Sequence, residues 1–248
     1  MQDAKVLARI NLDALLSNLE IMARDDAETS SAASSWNGSI TFAVGFSGPR
    51  TTLEFSDGLV KVFPGKASTP GMVLFFPNEQ MLNNMFSGQG VGFPIPIKGL
   101  TKIKGLLTFM KLAKRMEEIL KGDNPPQALK AKLMLNTISK AMAIVANYDP
   151  GAKPLVEHAK GVAELSVKDG YAVNIEFSGV SAVARGEHAD DPDFKMEFGS
   201  DDIFLDLTED KVDIFAAVCL LDLALMGDLH LAEATVNPLL DRIGLYLQ

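Results

Sequence analysis

Leu53-Glu54-Phe55-Ser56-Asp57-Gly58 returns later in the chain as Ile175-Glu176-Phe177-Ser178-Gly179, one residue shorter. In both stretches apolar and polar side chains alternate and then meet a glycine, the pattern of a half-buried strand running into a tight turn. Outward from this pair the chain repeats itself at a separation of 121–123 residues. Upstream, residues 6–24 recur as 129–147, Asp26 and Gly38 as Asp149 and Gly161, and Val44 as Val167. Downstream, Val62, Gly65, Pro70 and Phe76 recur as Val183, Gly186, Pro192 and Phe198, and Gly105-Leu106-Leu107 as Gly227-Asp228-Leu229. A period this long means two domains rather than a solenoid. The expected domains are residues 1–124 and 125–248, joined at Lys121-Gly122-Asp123-Asn124-Pro125-Pro126, where glycine and two prolines break a helix.

Each copy reads as α+β. An amphipathic helix comes first, with Val6, Ile10, Leu15, Leu19 and Met22 at helical spacing in one copy and Leu133, Ile138, Met142 and Val145 in the other. Four strands follow, predicted over 40–44, 51–55, 59–63 and 72–76, and over 163–167, 172–177, 180–184 and 194–198. Asn78-Glu79 and Ser200-Asp201-Asp202 mark helix starts. A last strand, 100–103 or 221–225, precedes a closing helix over 107–120 or 229–247. Duplicated domains of this kind are expected to form a pseudo-twofold pair.

Composition narrows the function. A net charge of −9 excludes general nucleic-acid binding, which needs a basic surface. Residues 1–124 carry 13 Lys/Arg against 12 Asp/Glu, whereas 125–248 carry 10 against 20. The start lacks a basic leader followed by an apolar run, and no apolar stretch approaches the roughly 20 residues of a membrane span. One cysteine, Cys219, precludes an internal disulfide. A cytoplasmic protein is expected, with its oligomeric state open.

Lys211-Val212-Asp213, then Leu221-Asp222-Leu223-Ala224-Leu225-Met226-Gly227-Asp228 and an amphipathic helix, resembles the sterol carrier protein (SCP2-type) domain family. So does Gly99-Leu100-Thr101-Lys102-Ile103-Lys104-Gly105 in the first copy, although Leu106 stands where the family often has Asp, and Asp210 where it often has Gly. Upstream, Asp191-Pro192-Asp193-Phe194-Lys195-Met196-Glu197-Phe198 also fits. The resemblance implies two sequential antiparallel sheets, each covered by helices on one face, with an apolar tunnel between sheet and helices. It further implies a non-catalytic carrier of lipids or other apolar molecules. A structural or docking protein with closed pockets is the alternative, and a transient membrane or protein partner is compatible with either.

Nothing in the residues builds an enzyme, and neither cofactor nor metal is expected. Glu187-His188-Ala189-Asp190-Asp191-Pro192-Asp193 could hold a cation but reads better as a solvated acidic turn. Gly88-Gln89-Gly90-Val91-Gly92 lacks the spacing of a dinucleotide loop, and Pro94 and Pro96 follow where a helix would start. Cys219, inside an apolar run, is expected to be an inert core thiol. The candidate ligand-binding residues are Met81, Met85, Phe86, Phe93, Leu107, Met110 and Met116, because methionines and aromatics make adaptable apolar walls. The bulky Phe204, Leu207, Phe215 and Leu220 are expected to fill the interior of copy two. Lys98, Lys102, Lys104, Lys111, Lys114 and Arg115 form a basic region; it is read first as solvated charge, with an anionic head group, a membrane surface or the acidic second copy as other partners.

Overall fold

The computed structural model describes residues 3–67, 71–88, 93–99, 102–122 and 124–247. Pro70, residues 89–92, Leu100 and Thr101 therefore lie outside the described residues. The chain divides into two compact units, Met1–Pro125 and Pro126–Gln248.

In unit one, α1 (Ala4–Arg9) passes through a π-helical stretch, Ile10–Leu15, into α2 (Asn18–Asp25) and then α3 (Ala27–Ala33). Strands β1 (Gly38–Val44), β2 (Arg50–Ser56), β3 (Leu59–Pro64) and β4 (Met72–Phe76) follow, then α4 (Glu79–Ser87), β5 (Ile95–Lys98) and α5 (Ile103–Lys121). In unit two, α6 (Gln127–Tyr148) and α7 (Lys153–Val156) precede β6 (Lys160–Val167), β7 (Ala172–Ser178), β8 (Ala182–Arg185) and β9 (Phe194–Phe198). Then come α8 (Asp201–Thr208), α9 (Ile214–Cys219), β10 (Leu223–Gly227), α10 (Leu229–Leu231), a second π-helical stretch, Ala232–Val236, and α11 (Asn237–Leu247).

The two sheets have one topology. Their strand orders are β3-β2-β1-β4-β5 and β10-β9-β6-β7-β8, the same arrangement read from opposite ends. Even the register agrees: Gly38 lies opposite Phe55 as Gly161 lies opposite Phe177, and Val44 opposite Phe76 as Val167 opposite Phe198. The expected antiparallel sheets are in fact mixed. Within each, β1–β4 or β6–β9 is parallel, and the other three pairings are antiparallel. A hairpin cannot link parallel neighbours, so the chain detours through the intervening antiparallel pair.

Alternation along the strands decides which face the helices take. Ile40, Phe42, Val44, Leu53 and Phe55 are buried, and Phe42 meets Phe109 of α5 edge-on with centroids 5.1 Å apart. The opposite face carries buried polar groups that need partners. Thr41 and Thr52 hydrogen-bond across the sheet at 2.9 Å in unit one. In unit two a loop supplies the partners: Asn174 donates to the Glu187 carbonyl, and Glu164 accepts from the Ala189 N–H. This is where the acidic stretch 187–193 lies. His188 Nδ1 sits 3.4 Å from Glu164, and among the described residues no group of three His, Cys, Asp or Glu is placed to hold a metal.

A matched ion pair closes each unit. Asp26, between α2 and α3, takes a bidentate contact from Arg115 of α5; Asp149, at the end of α6, takes one from Arg242 of α11. Asp26 also caps α3 through the Thr29 N–H, and Asp149 accepts from the Gly151 N–H and the Tyr246 hydroxyl.

The last strand of copy one differs from expectation. It runs over Ile95–Lys98, whereas the predicted 100–103 falls partly outside the described residues and runs into α5, which begins at Ile103. Gly99, not Gly105, answers Gly227. Both have left-handed φ, +82° and +88°, and at both a Cβ would run into a backbone carbonyl oxygen of the adjacent segment, that of Gly71 or of Asp193. Pro96 is tolerated because β5 is an edge strand with an irregular register against Val73 and Leu74.

Candidate ligand chambers

Unit two holds the larger of two chambers described, about 550 Å³, within the range of small-molecule sites. Its floor is the helix-facing side of the sheet: Leu165 of β6, Met196 and Phe198 of β9, and Leu223 of β10. Its roof comes from Leu135 and Ile138 of α6, Phe204 and Leu207 of α8, and Leu240 of α11. The Ser200 side chain starts α8 by accepting from the Ile203 N–H, which aims Phe204 inward, 5.0 Å from the Phe198 ring centroid.

Three of the chamber's four polar lining residues share one stretch of chain. Thr208, Asp210 and Asp213 line the chamber where the chain leaves α8 for α9, and the fourth is Asn237 of α11. Beside them Glu209 accepts from Lys130 at 2.7 Å and Lys211 at 2.6 Å. These two ammonium groups lower the Glu209 carboxyl to about 2, so it stays charged and ties the end of α8 to the start of α6. Of the bulky residues expected to fill copy two, Phe204 and Leu207 are chamber walls instead. Phe215 and Leu220 lie on the surface, because α9 buries only Ala217. Cys219 is likewise exposed, a correction to its expected core position. The apolar run 214–221 has the composition of core because no polar residue interrupts it, but its helix lies along the outside.

Unit one holds a chamber of about 480 Å³. Met85 and Phe86 of α4, Leu15 and Leu16 of the leading helix, and Met110 and Met116 of α5 line it. No strand residue does, so this space lies among helices rather than between sheet and helices. Met81 is half-buried on α4, and Phe93 and Leu107 are exposed; none of these three is in its wall. Four of the seven candidate residues are thus brought together. Lys114, Glu117 and Lys121 stand at its edge, the last two paired at 3.7 Å.

Sequence reasoning missed the unit-two chamber. A signal existed: Leu135, Ile138, Leu165, Met196, Phe198 and Leu223 all sit at apolar positions of the repeat, but nothing in one-dimensional spacing separates a wall facing a void from a wall facing another side chain.

Fold and chambers define a tandem α+β protein whose two modules share one topology but carry differently walled, half-open apolar spaces. No family model matches the chain, and no curated protein matches it in sequence. Solved structures do match. The UbiJ-SCP2 ubiquinone synthesis protein is 19% identical over 44% of this chain and 94% of its own, with a TM-score of 0.33. Sterol carrier protein 2 from Yarrowia lipolytica in its apo form is 18% identical, over 43% and 89%, with a TM-score of 0.33. Sterol carrier protein domain 2 of Helicoverpa armigera is 17% identical, over 48% and 91%, with a TM-score of 0.34. The chain is similar to SCP2 domains, each match taking in about half of it. Among the described residues no helix is long and apolar enough to cross a membrane.

Proposed function

We propose that this protein binds lipids or other apolar small molecules without transforming them. The observation that carries this reading is the unit-two chamber, whose walls from both sheet and helices are apolar apart from Thr208, Asp210, Asp213 and Asn237. Such a site holds a ligand by burying its apolar body and leaves a single polar head to be matched. Asp210 and Asp213 are the charged residues lining it, and Asp213 is engaged in capping α9 through the Ala216 N–H. Catalysis needs convergent groups in assigned acid, base or nucleophile roles, which this lining does not offer. An acidic side also disfavours a ligand with a free carboxylate, so the ligand of unit two is a neutral amphiphile such as a hydroxylated ring or an acyl ester. The helix-bounded space of unit one, with Met85, Phe86, Met110 and Met116, is the second proposed site, and Lys114 and Lys121 at its edge suit an acidic head that replaces their exposed partners Glu118 and Glu117.

Displacement of a fluorescent sterol and of a fluorescent fatty acid tests this. Leu207→Trp is expected to weaken sterol binding by about tenfold or more by occupying the chamber, with fatty-acid binding unchanged. Met110→Trp should do the reverse. If the wild type shows no saturable binding of either probe, the protein is a docking module with unused interiors.

A further inference from the structure

The basic residues of unit one are interleaved with apolar ones on its surface. Phe93, Ile97, Ile103, Leu107 and Met110 each keep more than half of their surface in solvent, and Ile95 nearly half. Ile103, Leu107, Met110 and Lys114 follow one another at i, i+4, i+7 and i+11, which places them on a single stripe along the outside of α5. Lys104 and Lys111 both lie along one side of that stripe, and Lys98 and Lys102 stand at the end of β5 and the start of α5. Among the described residues none of these four lysines has an ion-pair partner. Soluble proteins do not ordinarily leave such a run of large apolar side chains open to water.

We propose that this face docks on a bilayer bearing anionic phospholipid head groups. The residue chemistry favours that occupant over a second protein. Lysine is depleted in the cores of protein interfaces, where its charge would have to be desolvated. At a membrane surface the same side chain lays its stem along the apolar region and keeps its ammonium among the phosphates. Unit two also exposes apolar side chains, Phe215, Leu220, Leu221 and Met226 on and around α9 and β10, but their neighbouring charges are Asp213, Asp222 and Asp228, so that surface has no attraction for an anionic one. Docking is therefore a property of one unit. Met110 and Lys114 belong both to the exposed stripe and to the wall of the unit-one chamber, so docking sets the chamber's edge against the lipid. This inference rests on the lipid-binding reading above, and its consequence is that ligand enters unit one from the bilayer.

Flotation of the full chain with vesicles of phosphatidylcholine alone, and of phosphatidylcholine with phosphatidylserine, tests it. The expected result is flotation with the mixed vesicles only, lost at high salt. Lys104→Ala and Lys111→Ala should each weaken it by about fivefold. Leu107→Asp should abolish it, while Val180→Asp, at an exposed apolar position of unit two, should leave it intact. Circular dichroism checks that each variant is folded. Wild-type protein that stays with the solvent overturns the proposal, as does Leu107→Asp floating like wild type. A dimer that Leu107→Asp dissociates in the absence of lipid also overturns it, in favour of a second copy of the chain. Fluorescent fatty-acid binding in solution keeps the two readings apart: lost flotation with binding retained removes the docking face alone, whereas lost binding removes the reading beneath it.

Discussion

Asp149→Ala is expected to lower the stability of unit two by about 3 kcal/mol, the usual consequence of removing one member of a largely buried ion pair. The Asp149 side chain is only 4% exposed, and four donors converge on its carboxylate: two from Arg242, one from Tyr246 and one from the Gly151 backbone. Burial pushes its carboxyl up, but Arg242, Gly151 and Tyr246 outweigh that and hold it below the ordinary aspartate value. Asp26 is lowered as well, chiefly by its hydrogen bond to Arg115. Both contributions are present in full above the unfolded carboxylate pKa of about 3.9 and drain away as pH falls through the lower folded values. Stability should therefore be flat from neutral pH to about pH 5 and fall below about 4. Urea unfolding followed by hydrogen exchange in each unit measures this. An Asp26→Ala/Asp149→Ala protein that keeps the wild-type acid profile would show that these pairs are not what acid breaks.

Gly227→Ala and Gly99→Ala should each destabilise their own unit by about 3 kcal/mol, from left-handed strain together with a methyl forced onto a neighbouring carbonyl. Neither the Asp193 nor the Gly71 oxygen can swing aside as a side chain would, since each belongs to the backbone just before the inner partner strand. Gly65→Ala separates the two contributions. Gly65 has φ +100°, but no atom lies within 4 Å of the place a methyl would take, so strain alone operates there, at about 1 kcal/mol. Equal losses at positions 65, 99 and 227 would mean that the close approach is unimportant. Differential scanning calorimetry reads the outcome directly.

The sheets were legible because their faces differ. Phe42, Leu53 and Phe55 alternate with Thr41, Thr52 and Glu54, and that period survives without knowledge of the partner strand. Helix starts at Asn78 and Ser200 were legible because capping is local: each side chain bonds the N–H three residues on. The strand over Ile95–Lys98 was not legible. Pro96 argues against a strand, and an edge position that excuses it is a property of the sheet rather than of the segment. With that strand displaced, the equivalence of Arg115 and Arg242 was hidden too, although Asp26 and Asp149 stood out as a repeated pair. For the chambers, the methionines of α4 and α5 led to the helix-bounded space of unit one, but Leu107 and Phe93 have the composition of a wall and the position of a surface. Composition does not encode that difference; the direction of α5 does.

The ion pairs also set a timetable. Asp26 and Arg115 are 89 residues apart in sequence, and Asp149 and Arg242 are 93 apart, so in each unit the helical segment ahead of the first strand is fastened to the last helix. A chain emerging from the ribosome cannot close unit one until almost all of it has been synthesised, and the β1–β4 pairing likewise waits for a distant segment. By then unit two has barely begun. The first module can therefore mature before the second presents its own sticky strands, and two similar sequences on one chain are kept from pairing with each other by the order in which they are made.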